Sequence, residues 1–179
     1  MSARDLLLDQ ITRKAMVHGR VRLSSGQEAD SYVDLRRVTL DGLAAPHVGS
    51  VLLDLTEDWE YDAVGGLTLG ADPVALAMVH QAATRGRELD AFVVRKSEKA
   101  HGMQRRIEGP DVAGRRVLAV DDTSTTGGSV LTAAGALREA GADVVGVLVI
   151  VDRDTGAREA IAAAGYPYRW AFDSAALGL

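Results

Sequence analysis

The run Val117-Leu118-Ala119-Val120 leads straight into Asp121-Asp122, and Thr123-Ser124-Thr125-Thr126-Gly127-Gly128-Ser129 follows without a break. The apolar run, rich in β-branched residues, reads as a buried strand over 117–120. From Ser129 onward, Val130, Leu131, Ala134, Leu137 and Ala140 recur at helical spacing, which predicts a helix over 129–140. Strand, turn and helix in direct succession form the unit from which α/β folds are built. Here the turn between them carries hydroxyls and glycines. At the start of a helix it offers backbone N–H groups and side-chain oxygens to an anion. Carboxylates standing just before such a cradle suit ribose hydroxyls, or a metal ion held beside the phosphate. Turns and N-caps also favour Gly, Ser and Thr for purely local reasons, and adjacent aspartates can be solvated turn residues. No lysine follows the glycines, so this is not a Walker A loop, and it is not the dinucleotide G-x-G-x-x-G pattern.

The rest of the chain alternates in the same sense. Strands are expected at 63–64, 89–94, 117–120, 143–151 and 168–172, with helices at 73–85, 129–140 and 157–164. That order predicts an α/β fold with a mostly parallel central sheet flanked by helices and an active site outside the C-terminal ends of its strands. The first third does not alternate. An amphipathic helix is expected over 3–17, ended by Gly19. Two short segments, 20–23 and 31–35, follow and pair as a hairpin or an edge structure, then a helix over 41–58 with Leu43, Val48, Val51, Leu52 and Leu55 facing inward. At 179 residues a single domain over 1–179 is expected, with a small N-terminal hood over about 1–40 and a core over about 41–179.

Composition narrows the function classes. The net charge of −5 weighs against a nucleic-acid surface. Cysteine is absent, which removes disulfides and Cys-based metal sites. No apolar run is long enough to span a bilayer, and the acidic N-terminus lacks a signal-peptide core, so a cytoplasmic protein without membrane or nucleic-acid partners is expected.

The 117–129 string resembles the 5-phosphoribosyl-1-pyrophosphate (PRPP) motif of type I phosphoribosyltransferases. The resemblance implies that Asp121 and Asp122 hold the ribose hydroxyls and that Thr123, Ser124, Thr125, Thr126, Gly127, Gly128 and Ser129 wrap the 5-phosphate. A second segment, 95–106, gathers five basic residues and a histidine within twelve positions of an otherwise acidic chain. A charge run is often only a solvated loop. This one leaves the sheet at the face where the PRPP motif ends, and with few apolar anchors it is expected to be mobile when empty. Its order, Arg95-Lys96-x-x-Lys99-x-His101-Gly102, is similar to the catalytic loop of orotate phosphoribosyltransferases. The resemblance implies that Lys99 touches the departing pyrophosphate and that Arg95, Lys96 and His101 contact its oxygens. It also implies a homodimer in which this loop reaches the neighbouring active site.

Three further segments fit the same family less closely. Gly65-Gly66-Leu67-Thr68-Leu69-Gly70 stands where relatives bind pyrophosphate. It lacks their basic residue, which leaves backbone amides and Thr68 for that role, and a plain strand–helix turn also accounts for it. Ser25-Gly26 and Tyr32-Val33 echo the segment that touches the base, although a surface hairpin explains them equally well. Val151-Asp152-Arg153-Asp154 ends a strand, and the resemblance makes Arg153 the reader of the orotate carboxylate, with Thr125 beside the base. No metal ligand is assigned to a protein side chain. Mg²⁺ is expected to be held mainly through PRPP and pyrophosphate oxygens. The activity implied is transfer of the phosphoribosyl group from PRPP to orotate. A phosphoribosyltransferase for another base and a non-catalytic PRPP-sensing regulator remain the alternatives.

Overall fold

The computed structural model describes residues 1–22, 28–96 and 106–179. Helix α1 (Ala3–Gln10) opens with a reciprocal cap: the Ser2 hydroxyl accepts the Asp5 N–H while the Asp5 carboxylate accepts that of Ser2. A π-helical turn (Ile11–Ala15) follows, with Ile11 and Ala15 both buried. The chain then enters β1 (Met16–Arg22), which pairs antiparallel with β2 (Glu28–Val33) in a two-stranded sheet. The helix expected over 3–17 therefore ends early, and Gly19 lies within a strand instead of capping a helix. The physical reason is long-range. Met16 finds its partner in Val33, and cross-strand pairing outweighs local periodicity.

Helix α2 (Arg36–Thr39) was not legible from periodicity, being only four residues long. Helix α3 (Ala45–Leu55) starts later than the expected 41–58. Asp41 accepts the N–H groups of Leu43 and Ala44 and so holds a turn ahead of the helix. Leu43 sits on that turn at 76% exposure, which corrects the expectation that it faces inward; Val48, Val51 and Leu52 are buried as expected.

The main sheet contains β3 (Ala63–Leu67), β4 (Asp90–Val94), β5 (Ile107–Glu108), β6 (Arg116–Ser124), β7 (Asp143–Asp152) and β8 (Tyr168–Asp173). Their spatial order is β5-β4-β3-β6-β7-β8, parallel throughout except for the short β5, which pairs antiparallel with β4. Between them run α4 (Ala71–Thr84), α5 (Gly128–Glu139) and α6 (Ala157–Ala163), and a short 3₁₀ turn (Ala175–Leu177) closes the chain.

Alternation along β6 and β7 divides the core in two. Leu118, Val120, Leu148 and Ile150 pack with Leu7, Leu52 and Met78 from α1, α3 and α4. Val117, Ala119, Val147 and Val149 pack with Leu137 and Ile161 from α5 and α6. The sheet is thus covered on both faces, as parallel sheets require.

Strand order reverses between β3 and β6: from β3 the chain continues outward to β4, and from β6 it continues the other way to β7. The loops after these two strands diverge and leave a crevice at their C-terminal ends, the usual ligand position in open α/β sheets. The expected strand over 117–120 proves four residues longer at this end. Pairing with β7 continues to Ser124 opposite Asp152, so Asp121, Asp122, Thr123 and Ser124 belong to the strand and not to the turn. The ladder fixes the backbone of both aspartates.

Candidate active site

The crevice is narrow where the acids lie. A Cβ added to Gly70, in the loop between β3 and α4, would come within 2.5 Å of Asp121 Oδ1 and 2.9 Å of Asp122 Oδ1. Only a residue without a side chain allows this loop to close on the carboxylates. The Asp121 carboxylate accepts the N–H of Asp122 at 2.9 Å, and the Asp122 carboxylate accepts that of Thr123 at 2.7 Å. On the loop side the Thr68 hydroxyl donates to Asp72 Oδ2 at 2.7 Å and the Thr68 N–H donates to the Val94 carbonyl. The Thr68–Leu69 peptide is cis.

Burial sets the charge state of the acid pair. Asp121 is 6% exposed. Loss of solvent raises its pKa well above the ordinary carboxylate range, and the charge of Asp122, then that of Asp72, adds to the rise. Burial also raises Asp122, but the Thr123 N–H and the Arg36 guanidinium oppose it. The pair therefore takes up a proton more readily than an exposed carboxylate does.

Beyond β6 lies the hydroxyl- and glycine-rich turn. A depression of about 370 Å³ is lined by Leu67, residues 123–129 and Thr132. Helix α5 begins at Gly128, preceded by Gly127 at φ +80°, a left-handed conformation that glycine adopts freely. No side chain caps this helix, so its first N–H groups point to the depression without a protein acceptor. The Thr155 hydroxyl donates to the Thr125 carbonyl at 2.7 Å and ties the cradle to the loop after β7.

The cationic groups surround this centre. The Arg95 N–H donates to the Arg106 carbonyl, and its guanidinium lies 3.6 Å from Glu108 with Nε buried and without a hydrogen-bond partner among the described residues. Lys96 is exposed. Lys99 and His101 lie outside the described residues, as do the expected mobility of their loop and the Ser25-Gly26 segment. The Arg153 N–H donates to the Ser124 carbonyl at 2.9 Å, which anchors the residue beside the end of β6, and its Nε is also buried without a partner. Tyr32 is half-buried at the end of β2, next to Arg36, while the Val33 side chain is buried in the core, so any contact from Val33 to a ligand would come from its backbone.

The phosphoribosyl transferase domain family matches residues 45–164. The orotate phosphoribosyltransferase of Streptomyces avermitilis is 71% identical over 177 residues, 98% of this chain and 97% of that one. The chain belongs to the orotate phosphoribosyltransferase family. Two solved structures of the Mycobacterium tuberculosis orotate phosphoribosyltransferase agree in fold. The Fe(III) dicitrate complex superposes with a TM-score of 0.91 at 58% identity, covering 99% of this chain and 100% of that one. The PRPP complex superposes with a TM-score of 0.87 at 51% identity, with the same coverage.

Within this orotate phosphoribosyltransferase site, sequence reasoning missed several residues. In sequence Gly70 reads only as part of a turn; its approach to the acids exists only once β3 and β6 are adjacent. Asp72, four residues after Thr68 in the first turn of α4, carried a signal in that spacing. Asp34 and Arg36 are joined at 2.8 Å, and Arg36 acts on Asp122 from the far end of the sequence. No local pattern could have revealed that.

Two outcomes test this geometry. Gly70→Ala is expected to lower turnover by about tenfold or more, because a displacement of about 1 Å at a reacting centre costs that much or more; its melting temperature should stay near that of the native protein. Asp121→Asn is expected to raise the melting temperature of the substrate-free protein at pH 7 while abolishing activity. In the folded state Asp121 keeps its proton at pH values where the unfolded chain has lost it. Stability therefore falls as pH rises from the unfolded value, about 3.9, through the raised folded value, and asparagine escapes this loss. The advantage of the variant should shrink as pH is lowered toward about 4. An equal melting temperature at pH 7 would show that the carboxyl is not strained.

Proposed function

We propose that the chain transfers the 5-phosphoribosyl group from PRPP to orotate, giving orotidine 5′-monophosphate and pyrophosphate, a step of de novo pyrimidine (UMP) biosynthesis. The observation that carries this reading is the pairing, at one crevice, of two adjacent carboxylates with an uncapped hydroxyl- and glycine-rich cradle. An arginine whose buried Nε has no partner among the described residues, Arg153, stands at the next strand end.

The 5-phosphate takes the N–H groups and hydroxyls of residues 123–129 at the start of α5. The ribose hydroxyls then fall on Asp121 and Asp122. As the C1′–O bond to pyrophosphate breaks, positive charge builds on the ribose ring, and the adjacent carboxylates favour that charge. A ring nitrogen of orotate forms the new bond to C1′ as the C1′–O bond breaks, and its N–H proton passes to a pyrophosphate oxygen or to water. Arg153 pairs with the orotate carboxylate, and Thr125 and the backbone at Tyr32 and Val33 border the base. Arg95, Lys96, Lys99 and His101 bring positive charge to the leaving pyrophosphate. The backbone between Thr68 and Gly70 faces it from the other side, where the Thr68 hydroxyl becomes available once Asp72 releases it. Closure of the 95–106 loop excludes the water that would otherwise hydrolyse PRPP.

The donor set fits Mg²⁺. Among the described residues no group of three or more His, Asp or Glu side chains is gathered, so an ion here would take most of its oxygen ligands from substrate and water, with the Asp121–Asp122 pair nearby. Bound in that way, Mg²⁺ supplies neutralising charge to the leaving group. The proposal extends to a cytoplasmic homodimer in which residues 95–106 of one protomer reach the site of its partner. The charge run and the family resemblance support this extension.

Loss of orotate absorbance in the presence of PRPP and Mg²⁺, run beside adenine, uracil and hypoxanthine, tests the reaction; turnover of another base and none of orotate would overturn it. Lys99→Ala is expected to reduce kcat by about a hundredfold or more, as loss of a charge contact made in the transition state does, with a much smaller change in the KM for PRPP. An unaltered kcat would remove the loop from the chemistry.

A further inference from the structure

Arg153 stands between two aspartates in sequence, yet neither holds it. We propose that Arg158 is a positioning residue for base recognition: it occupies the carboxylates of Asp152 and Asp154 and so leaves the Arg153 guanidinium free for the carboxylate of the base. The inference rests on the reading of Arg153 given above.

Asp152 ends β7 with its side chain fully buried. Its Oδ1 accepts the Asp154 N–H at 2.7 Å, and its Oδ2 lies 3.4 Å from Arg158 Nε. Asp154 adopts φ +55°, a left-handed conformation uncommon for a residue with a Cβ. In that conformation its Oδ2 accepts the Ser174 N–H at 3.0 Å and its Oδ1 pairs with Arg158 Nη2. Arg158 thus bridges both carboxylates that flank Arg153. It is held in place from behind by Trp170, whose ring centroid lies 4.1 Å from its guanidinium carbon.

Helix chemistry does not explain this arginine. It is the second residue of α6, where the helix dipole disfavours a cation. The Tyr168 hydroxyl is close to Asp152, but burial and that carboxylate push its pKa up, so it stays neutral and does not balance the charge. Without Arg158, the buried Asp152 carboxylate would be left without a cation one residue from Arg153, and the two would pair. Arg153 would then be divided between an internal partner and the substrate. The apparent affinity for the base falls in proportion to the fraction of Arg153 that remains free. The Arg153 N–H bond to Ser124 and the Thr155 bond to Thr125 keep this small loop in register with the phosphate cradle, so the effect should fall on the base and not on PRPP.

Steady-state kinetics on four variants, each with a melting curve, test this. Arg158→Gln is expected to raise the KM for orotate by about tenfold, while kcat and the KM for PRPP stay within about twofold. Adding Asp152→Asn to Arg158→Gln removes the buried competing carboxylate, while the amide oxygen can still accept the Asp154 N–H, and should restore the KM for orotate to within about threefold of native, a recovery that a purely structural role would not give. Arg158→Lys, which keeps a cation but cannot span both acids, should fall between native and Arg158→Gln, and it carries the test if the glutamine variant does not fold. An unchanged KM for orotate in Arg158→Gln, or no recovery in the double variant, overturns the inference. Arg153→Ala separates the two readings. If it leaves the KM for orotate unchanged, the assignment of Arg153 to the base falls, and this inference with it. If it raises that KM while Arg158→Gln does not, only the role of Arg158 is lost.

Discussion

Two neighbouring carboxylates, one of them almost fully buried, face a loop that can approach them only because Gly70 has no side chain. Everything else about the site follows from holding that arrangement against its own repulsion. The β6 ladder fixes the backbone of Asp121 and Asp122 as far as Ser124, and the two core layers fix β6. The local N–H groups of Asp122 and Thr123 supply what hydrogen bonding the acids have within the protein. A binding site kept in this state is a local cost to folding, offset by apolar packing on both sheet faces. It is ready for a ligand that brings hydroxyls and positive charge.

Charge is distributed around that centre in a consistent way. Cations stand at the edges: Arg36 from the N-terminal segment, Arg95 and Lys96 after β4, Arg153 after β7. Some are paired within the protein, as Arg36 is with Asp34 and Arg95 with Glu108. Arg153 is not, and the acids beside it are directed to Arg158 instead. An acidic chain that handles an anionic donor and an anionic base has to keep its few relevant cations from being consumed by its own carboxylates. The loop after β7 is built in that manner.

Legibility differed by region for physical reasons. The α/β class, the alternation of strands and helices in the core, the two acids and the hydroxyl-rich turn could all be read from short contiguous patterns, because each depends on local periodicity or on residue types at consecutive positions. The break of the N-terminal helix at Met16 could not, because Val33, its partner, is distant in sequence; nor could the exposure of Leu43, which follows from the turn held by Asp41, or the helix at Arg36–Thr39, which is too short to show a period. The apolar pattern ends the strand at Val120, short of the acids, whereas the pairing continues to Ser124, since the end of a parallel strand is set by how long its neighbour continues to pair.

The sequence alone determined which chemical groups the chain could bring to a phosphorylated sugar: paired acids, a hydroxyl-rich turn, a basic loop and an arginine after a valine-rich strand. Their types and order are properties of the chain and survive without a fold. Only the tertiary structure decided that Gly70 closes on Asp121 and Asp122, that Arg36 acts on the same pair, and that Arg158 draws the flanking acids away from Arg153. Those facts depend on distances between segments that meet only when β3, β6 and β7 lie side by side, and distance governs both burial and charge.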